Sequence, residues 1–175
     1  MAVARRILRP PEPNLSPPGE AELPYDFGPP LESQQHLDTL TDLVTSLRDW
    51  LREQGDTTTY VNGNMALYFS LRQVKHNDFL GPDVMVVKDT TLRTRKSWVC
   101  WEEERTPSVV IELLSESTEA RDRGEKMAIY ARSLRTPDYF LFDQQWGDQV
   151  NKVLDASMTN NKHHHKLKFY ALVRR

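Results

Sequence analysis

The sequence predicts an α/β domain with a central mixed β-sheet flanked by α-helices. Three observations predict it. Apolar residues recur at steps of three and four from Leu37 to Leu51, as on one face of a helix. Residues 81–87, 108–115 and 138–143 form apolar runs of strand length. A helical pattern from about Thr118 to Leu134 separates the last two runs, so 108–143 reads as strand–helix–strand, a right-handed crossover with parallel pairing. The earlier strands are close enough in sequence to pair antiparallel, which makes the sheet mixed.

Composition agrees with a soluble globular domain. The 175 residues are 38% hydrophobic and 27% charged, with a net charge of −2, so the chain does not advertise itself as a polyanion binder and is not excluded as one. No apolar run is long enough to span a bilayer, and the arginine-bearing first residues lack the apolar core of a secretory signal. Cys100 is the only cysteine, which excludes an intrachain disulfide and a thiolate zinc cluster and makes a reducing cytoplasm the expected location.

Taken in order, residues 1–31 hold eight of the eleven prolines, which bars helix and central strand. Residues 1–22 are expected to form a flexible arm. Residues 23–31 are expected to dock on the domain through Leu23, Tyr25, Phe27 and Leu31. Ser33 is the expected N-cap of the first helix; Leu37, Leu40, Leu43, Val44, Leu47, Trp50 and Leu51 make its stripe, and Gly55 its left-handed end. Its other face, with Asp38, Asp42, Arg48, Asp49 and Arg52, reads as solvated. Glu32 and His36 sit four residues apart at its start, where a helix-dipole acid and an ordinary surface histidine account for them.

Residues 57–62 and 65–70 read as strands, joined as a hairpin at Asn62-Gly63-Asn64 or interrupted there by a bulge. Residues 71–81 and 91–96 read as basic loops around a core strand at 83–89, and 97–104 reads as a further strand. Ser117 or Thr118 caps the second helix, on which Asp122, Lys126 and Tyr130 share a face. Thr136-Pro137 ends it before the strand at 138–143. Residues 144–175 read as a basic tail, with a last edge strand at 166–173; three consecutive histidines, 163–165, cannot all address one metal.

Two acids stand out. Asp83 opens an apolar run, and Glu112 lies among Val109, Val110, Ile111, Leu113 and Leu114. A carboxylate in such surroundings is costly unless a cation or several donors compensate it. Each has an ordinary account: Asp83 capping the turn after Gly81-Pro82, Glu112 on an exposed strand face, Lys126 a solvated helix lysine. Together they have another. Two hard oxygen donors with water and phosphate suit Mg²⁺ or Mn²⁺, and a lysine on the next helix, Lys126, stands where it would stabilise developing charge.

At these residues the chain resembles the PD-(D/E)XK restriction-endonuclease-like superfamily and, within it, the Uma-two endonuclease family abundant in cyanobacteria. The matching pieces are LPYDFGPPLESQQH (23–36), GPDVMVV (81–87), SWVCWEEE (97–104), PSVVIELLSEST (107–118), Lys126, Tyr130 and TPDYFLFD (136–143). The resemblance implies a restriction-endonuclease-like fold over 23–143 and a divalent metal held by Asp83 and Glu112. It also implies that Glu32 faces the site, with His36 and Tyr130 lining it. The superfamily lysine two residues after the glutamate is replaced by Leu114, which moves that role to Lys126. Residues 144–175 depart from the family's pattern.

The function so implied is hydrolysis of nucleic-acid phosphodiesters, DNA first, by Asp83, Glu112, Lys126 and Glu32. Arg72, Lys75, Arg93, Arg95 and Lys96 would contact the phosphate backbone, and a homodimer is open. The competing reading is the same fold without turnover, holding DNA or a protein partner.

Overall fold

The computed structural model describes residues 17–23, 33–71, 79–115 and 117–143, and the backbone of 172–174. Helix α1 (Gln34–Glu53) begins where the Ser33 hydroxyl accepts the His36 N–H. It ends where Gly55, at φ 71°, lets the Asp56 N–H reach back to Leu51 O. Five strands form the main sheet: β1 (Tyr60–Gly63), β3 (Val84–Val87), β5 (Val109–Leu114), β6 (Asp138–Asp143) and β7 (Leu172–Arg174), in that spatial order. β5 and β6 are parallel and every other neighbouring pair is antiparallel, so the sheet is mixed as expected.

Alternation along the strands builds two cores. Val84, Val86, Ile111 and Leu113 face α1, whose Leu40, Leu43, Val44, Leu47 and Leu51 cover them. Leu37 and Trp50, at the borders of that stripe, stay exposed. Met85, Val87 and Val110 face the other way, toward Tyr130 and Leu134 of a second long helix. That helix, α3, comprises Glu119–Arg121, Asp122–Lys126, Met127–Ile129 and Tyr130–Leu134, the second and fourth segments being wider π turns. Its N-cap position is Thr118, whose side chain makes no capping hydrogen bond; the hydroxyl of Ser115 accepts the Thr118 N–H just before the helix.

The chain from 57 to 70 is not a hairpin. Asn64, at φ 48°, turns it out of the main sheet after β1. The following strand, β2 (Leu67–Tyr68), pairs in parallel with β4 (Trp98–Val99) in a separate small sheet. Nor is 97–104 one strand: a single helical turn, α2 (Cys100–Glu103), follows β4 and ends at Glu104 in a left-handed conformation. Gly63 marks a close approach. A β-carbon there would stand 2.8 Å from Leu40 Cδ2 and 3.0 Å from the Asp83 carbonyl oxygen, so only glycine lets α1 lie this near the start of β3.

Residues 17–22, expected to belong to a flexible arm, are held against the domain. Trp101 Nε1 donates to Pro18 O at 3.0 Å, and the Glu20 N–H donates to Glu102 at 2.7 Å. Leu23 is buried as expected, packed with Ala66, Tyr68 and Val99. The expected docking of Tyr25, Phe27 and Leu31, the flexibility of residues 1–16, and the tail over 144–171 lie outside the described residues; β7 falls partly on the edge strand expected at 166–173. Among the described residues no helix is long and apolar enough to cross a membrane.

Candidate functional site

The register of β3 against β5 brings the two unusual acids together. Val84 lies opposite Ile111, so one step outward sets Asp83 opposite Glu112. The contact is direct: the Asp83 N–H donates to Glu112 Oε2 at 3.3 Å. Asp83 is then fixed from two sides. Its Oδ2 accepts the Leu113 N–H at 2.7 Å, and its Oδ1 lies 3.0 Å from His36 Nε2 at the start of α1. The ordinary surface account of His36 therefore fails; α1 turns it inward beside its apolar stripe, where it is buried.

Alternation in β5 aims Glu112 at α3, and there it meets Lys126. Lys126 Nζ lies 3.2 Å from Glu112 Oε2 and 2.8 Å from Asp122 Oδ1, one turn earlier on the same helix. Asp122, expected to share a helix face with the lysine, is its shortest ion pair. Glu112 is fully buried, Asp122 almost so, while the side chains of Asp83 and Lys126 keep 18% and 12% exposure and form the mouth of the site. Tyr130 closes the far wall. It is fully buried and stacks on Tyr139, whose hydroxyl donates to Asp122 O at 2.8 Å.

Charge is out of balance here. Three carboxylates, Asp83, Glu112 and Asp122, share one lysine, and His36 adds charge only when protonated. The consequences are visible in the titrating groups. Burial pushes the Glu112 carboxyl up to about 8, against the pull of Lys126, and the nearby acids Asp83 and Asp122 add to the rise. Burial disfavours the charge on Lys126, but Glu112 and Asp122 outweigh it and hold its ammonium above the ordinary lysine value. One lysine cannot neutralise both neighbours. Lys126 therefore stays charged, and Glu112 holds its proton more tightly than an ordinary glutamate. Burial, then Glu112, raises the Tyr130 hydroxyl well above its usual value.

Two buried oxygens in this cluster, Glu112 Oε1 and Tyr130 Oη, make no well-formed hydrogen bond among the described residues, although the Tyr130 hydroxyl interacts with the Glu112 carboxyl group. A buried carboxylate oxygen so weakly satisfied, beside other acids, is the environment a hard divalent cation would complete. Among the described residues no group of three or more His, Cys, Asp or Glu side chains is placed to hold a metal ion; Asp83 and Glu112 are the two carboxylates that could share one. That set suits Mg²⁺ or Mn²⁺, which keep water in their remaining positions.

The basic residues divide. Arg95 leaves the expected backbone-contacting set. Its side chain is 0% exposed and makes paired bonds to Glu103 at 2.6 and 2.9 Å, with the guanidinium packed on the rings of Tyr60 and Trp98. It has no face left for a phosphate. Arg93 is exposed but bonded to Glu20 and Glu103, and Lys96 is exposed, its N–H bonded to Glu20. Glu32, Arg72 and Lys75 lie outside the described residues. Cys100 is buried and its thiol is pushed up by burial, which leaves it inert.

With this geometry in place, the family model described as "Uma2: Putative restriction endonuclease" matches residues 27–151. The chain belongs to the Uma2 family. The match covers most of the chain and runs past Asp143, so the family's pattern extends further than the motifs at 136–143 suggest. It spans Asp83, Glu112, Asp122, Lys126 and Tyr130 together. No curated protein and no solved structure matches the chain.

Proposed function

We propose that this member of the Uma2 family is a divalent-metal-dependent endonuclease that hydrolyses phosphodiester bonds in nucleic acid, with DNA as its first expected substrate. The observation that carries this reading is the surplus of buried carboxylate around one lysine at the exposed end of β3 and β5. Asp83 and Glu112 would hold Mg²⁺ or Mn²⁺, which when bound polarises a phosphoryl oxygen and lowers the pKa of water.

The chain's own groups then have separate tasks. His36 and the Leu113 N–H fix both oxygens of Asp83, so that carboxylate meets its ligand without reorganising. Glu112 gives up its proton when its neighbourhood gains positive charge. Lys126, 2.8 Å from Asp122 and 3.2 Å from Glu112, presents a fixed ammonium at the mouth of the site. There it stabilises negative charge developing on the phosphate. Tyr130 and Tyr139 seal the inner wall against water. Glu32 is carried by the family resemblance alone, as a further acid of the same site.

Cleavage of supercoiled plasmid with Mg²⁺ or Mn²⁺ tests the reading. The wild type should nick and linearise the plasmid, and Asp83→Ala and Lys126→Ala should each lose activity by about 100-fold or more. Equal background from wild type and Asp83→Ala would remove the proposed activity.

A further inference from the structure

A second feature lies away from the acidic cluster, on the face of α1 whose sequence reads as merely solvated. An open cleft of about 590 Å³ runs between the C-terminal half of α1, strand β1, the turn at 56–59 and the loop at 92–95. Arg48, Arg52 and Arg93 project from its walls, and Asp56 is its one acid. Asp56 is occupied: its carboxylate accepts the N–H and hydroxyl groups of both Thr58 and Thr59. Arg93 is likewise committed to Glu20 and Glu103.

Arg48 is different. Its Nε and Nη2 donate to Val61 O at 3.0 and 2.8 Å, on the outer edge of the sheet, and Nη2 also reaches Asn62 Oδ1 at 3.4 Å. All of these partners are neutral. Among the described residues Arg48 has no carboxylate partner, and its Nη1 carries no hydrogen bond. Its fork is thus fixed in direction while its charge is uncompensated, the arrangement that suits an arginine to a phosphate. Arg52, one turn further, has a side chain 76% exposed and only a surface pair with Asp49, worth little.

We infer that this cleft is a phosphate-backbone subsite, with Arg48 and Arg52 holding the nucleic-acid strand that flanks the bond being cut. This rests on the endonuclease reading. Position supports it. His36 at the start of α1 touches Asp83, and Arg48 is twelve residues along the same helix, about 18 Å at 1.5 Å per residue. That distance is about five steps of duplex at 3.4 Å each. Helix α1 therefore acts as a ruler, with the acidic site at one end and the arginines toward the other. The contacts are to backbone, because the cleft is open and offers no exposed aromatic ring for a base. They add affinity and register without sequence choice.

The test uses the full 175-residue chain and a fluorescein-labelled duplex of about thirty base pairs (about three helical turns), with EDTA present to prevent cleavage. Affinity is measured over a series of salt concentrations, and plasmid cleavage is measured separately with Mg²⁺. Arg48→Ala/Arg52→Ala should weaken binding at least tenfold and reduce the log–log salt slope by about two. Its cleavage should fall mainly through the DNA concentration needed for half-maximal rate, the rate at saturating DNA falling far less. Because Arg48 also supports β1, Arg52→Glu serves as the variant whose folding is not in question; it should weaken binding about as much as the double change. Unchanged affinity and slope in Arg52→Glu and in the folded double variant would overturn the subsite and leave the endonuclease standing, provided plasmid is still cut. A wild type that neither binds duplex nor cuts plasmid would overturn both.

Discussion

Glu112 is the residue on which the site's electrostatics turn. The folded chain holds its proton up to about pH 8, whereas an unperturbed glutamate releases it near 4.5. Between those values the folded state binds more protons than the unfolded one. The stability this contributes is complete below about 4.5 and is lost as pH rises toward 8. Urea unfolding in EDTA should show that decline, and Glu112→Gln should flatten it, the two proteins differing by on the order of a few kcal/mol at pH 8. A wild type whose stability rises over this window would contradict the assignment. Arg95 gives a second contrast. Arg95→Ala removes the paired bonds to Glu103 and leaves that acid only Arg93, and should cost about 1–3 kcal/mol, with no change in the salt dependence of DNA binding in whatever fraction stays folded. The two residues also differ in how well they could be read from sequence. An acid among five aliphatic residues is anomalous wherever it lies, so Glu112 was legible. Arg95 stands in a basic loop, and its packing on Tyr60 and Trp98 and its pairing with Glu103 make it internal. Asp122, four residues before Lys126, was visible in the spacing, but no local signal distinguished an ion pair at 2.8 Å from a solvated neighbour.

At the scale of elements, the site depends on how closely α1 approaches the start of β3. Gly63→Ala should push Leu40 and the Asp83 backbone apart at a cost of about 1–3 kcal/mol, measurable as a lower unfolding midpoint. Cleavage should fall with it, since His36 and Asp83 would lose their register. Elements whose signals are local were legible: the capped α1 stripe, the apolar runs of β3, β5 and β6, and the helix between the last two. Elements set by distant partners were not. Asn62-Gly63-Asn64 carries hairpin chemistry, yet β2 finds β4 instead, about thirty residues away. The 97–104 segment has strand-like residues, yet after Val99 it coils into one turn that delivers Glu103 to Arg95. The Pro-rich lead-in gave no hint that Pro18 and Glu20 grip Trp101 and Glu102, because those bonds use backbone groups that any residue carries.

For the whole molecule, the sheet separates two groups of charged residues. One face carries α1, with its arginine cleft; the other carries α3, with Lys126 and Asp122; Asp83 and Glu112 stand at the sheet end where both helices reach them. A cation bound there joins β3 to β5 in the folded chain alone, so saturating Mn²⁺ should raise the unfolding midpoint, by about 2.7 kcal/mol of added stability at one hundred times Kd. On the function proposed above, Asp83 and Glu112 form one cation site beside a charged lysine. Calorimetric titration of Mn²⁺ into metal-free protein tests it most directly, run at pH 7 in two buffers of different ionisation enthalpy. One site per chain is expected, with proton release on binding as Glu112 ionises, and loss of binding in Asp83→Asn and Glu112→Gln with the fold intact by circular dichroism. Binding of equal strength in wild type and both variants, or none in a folded wild type, would contradict it.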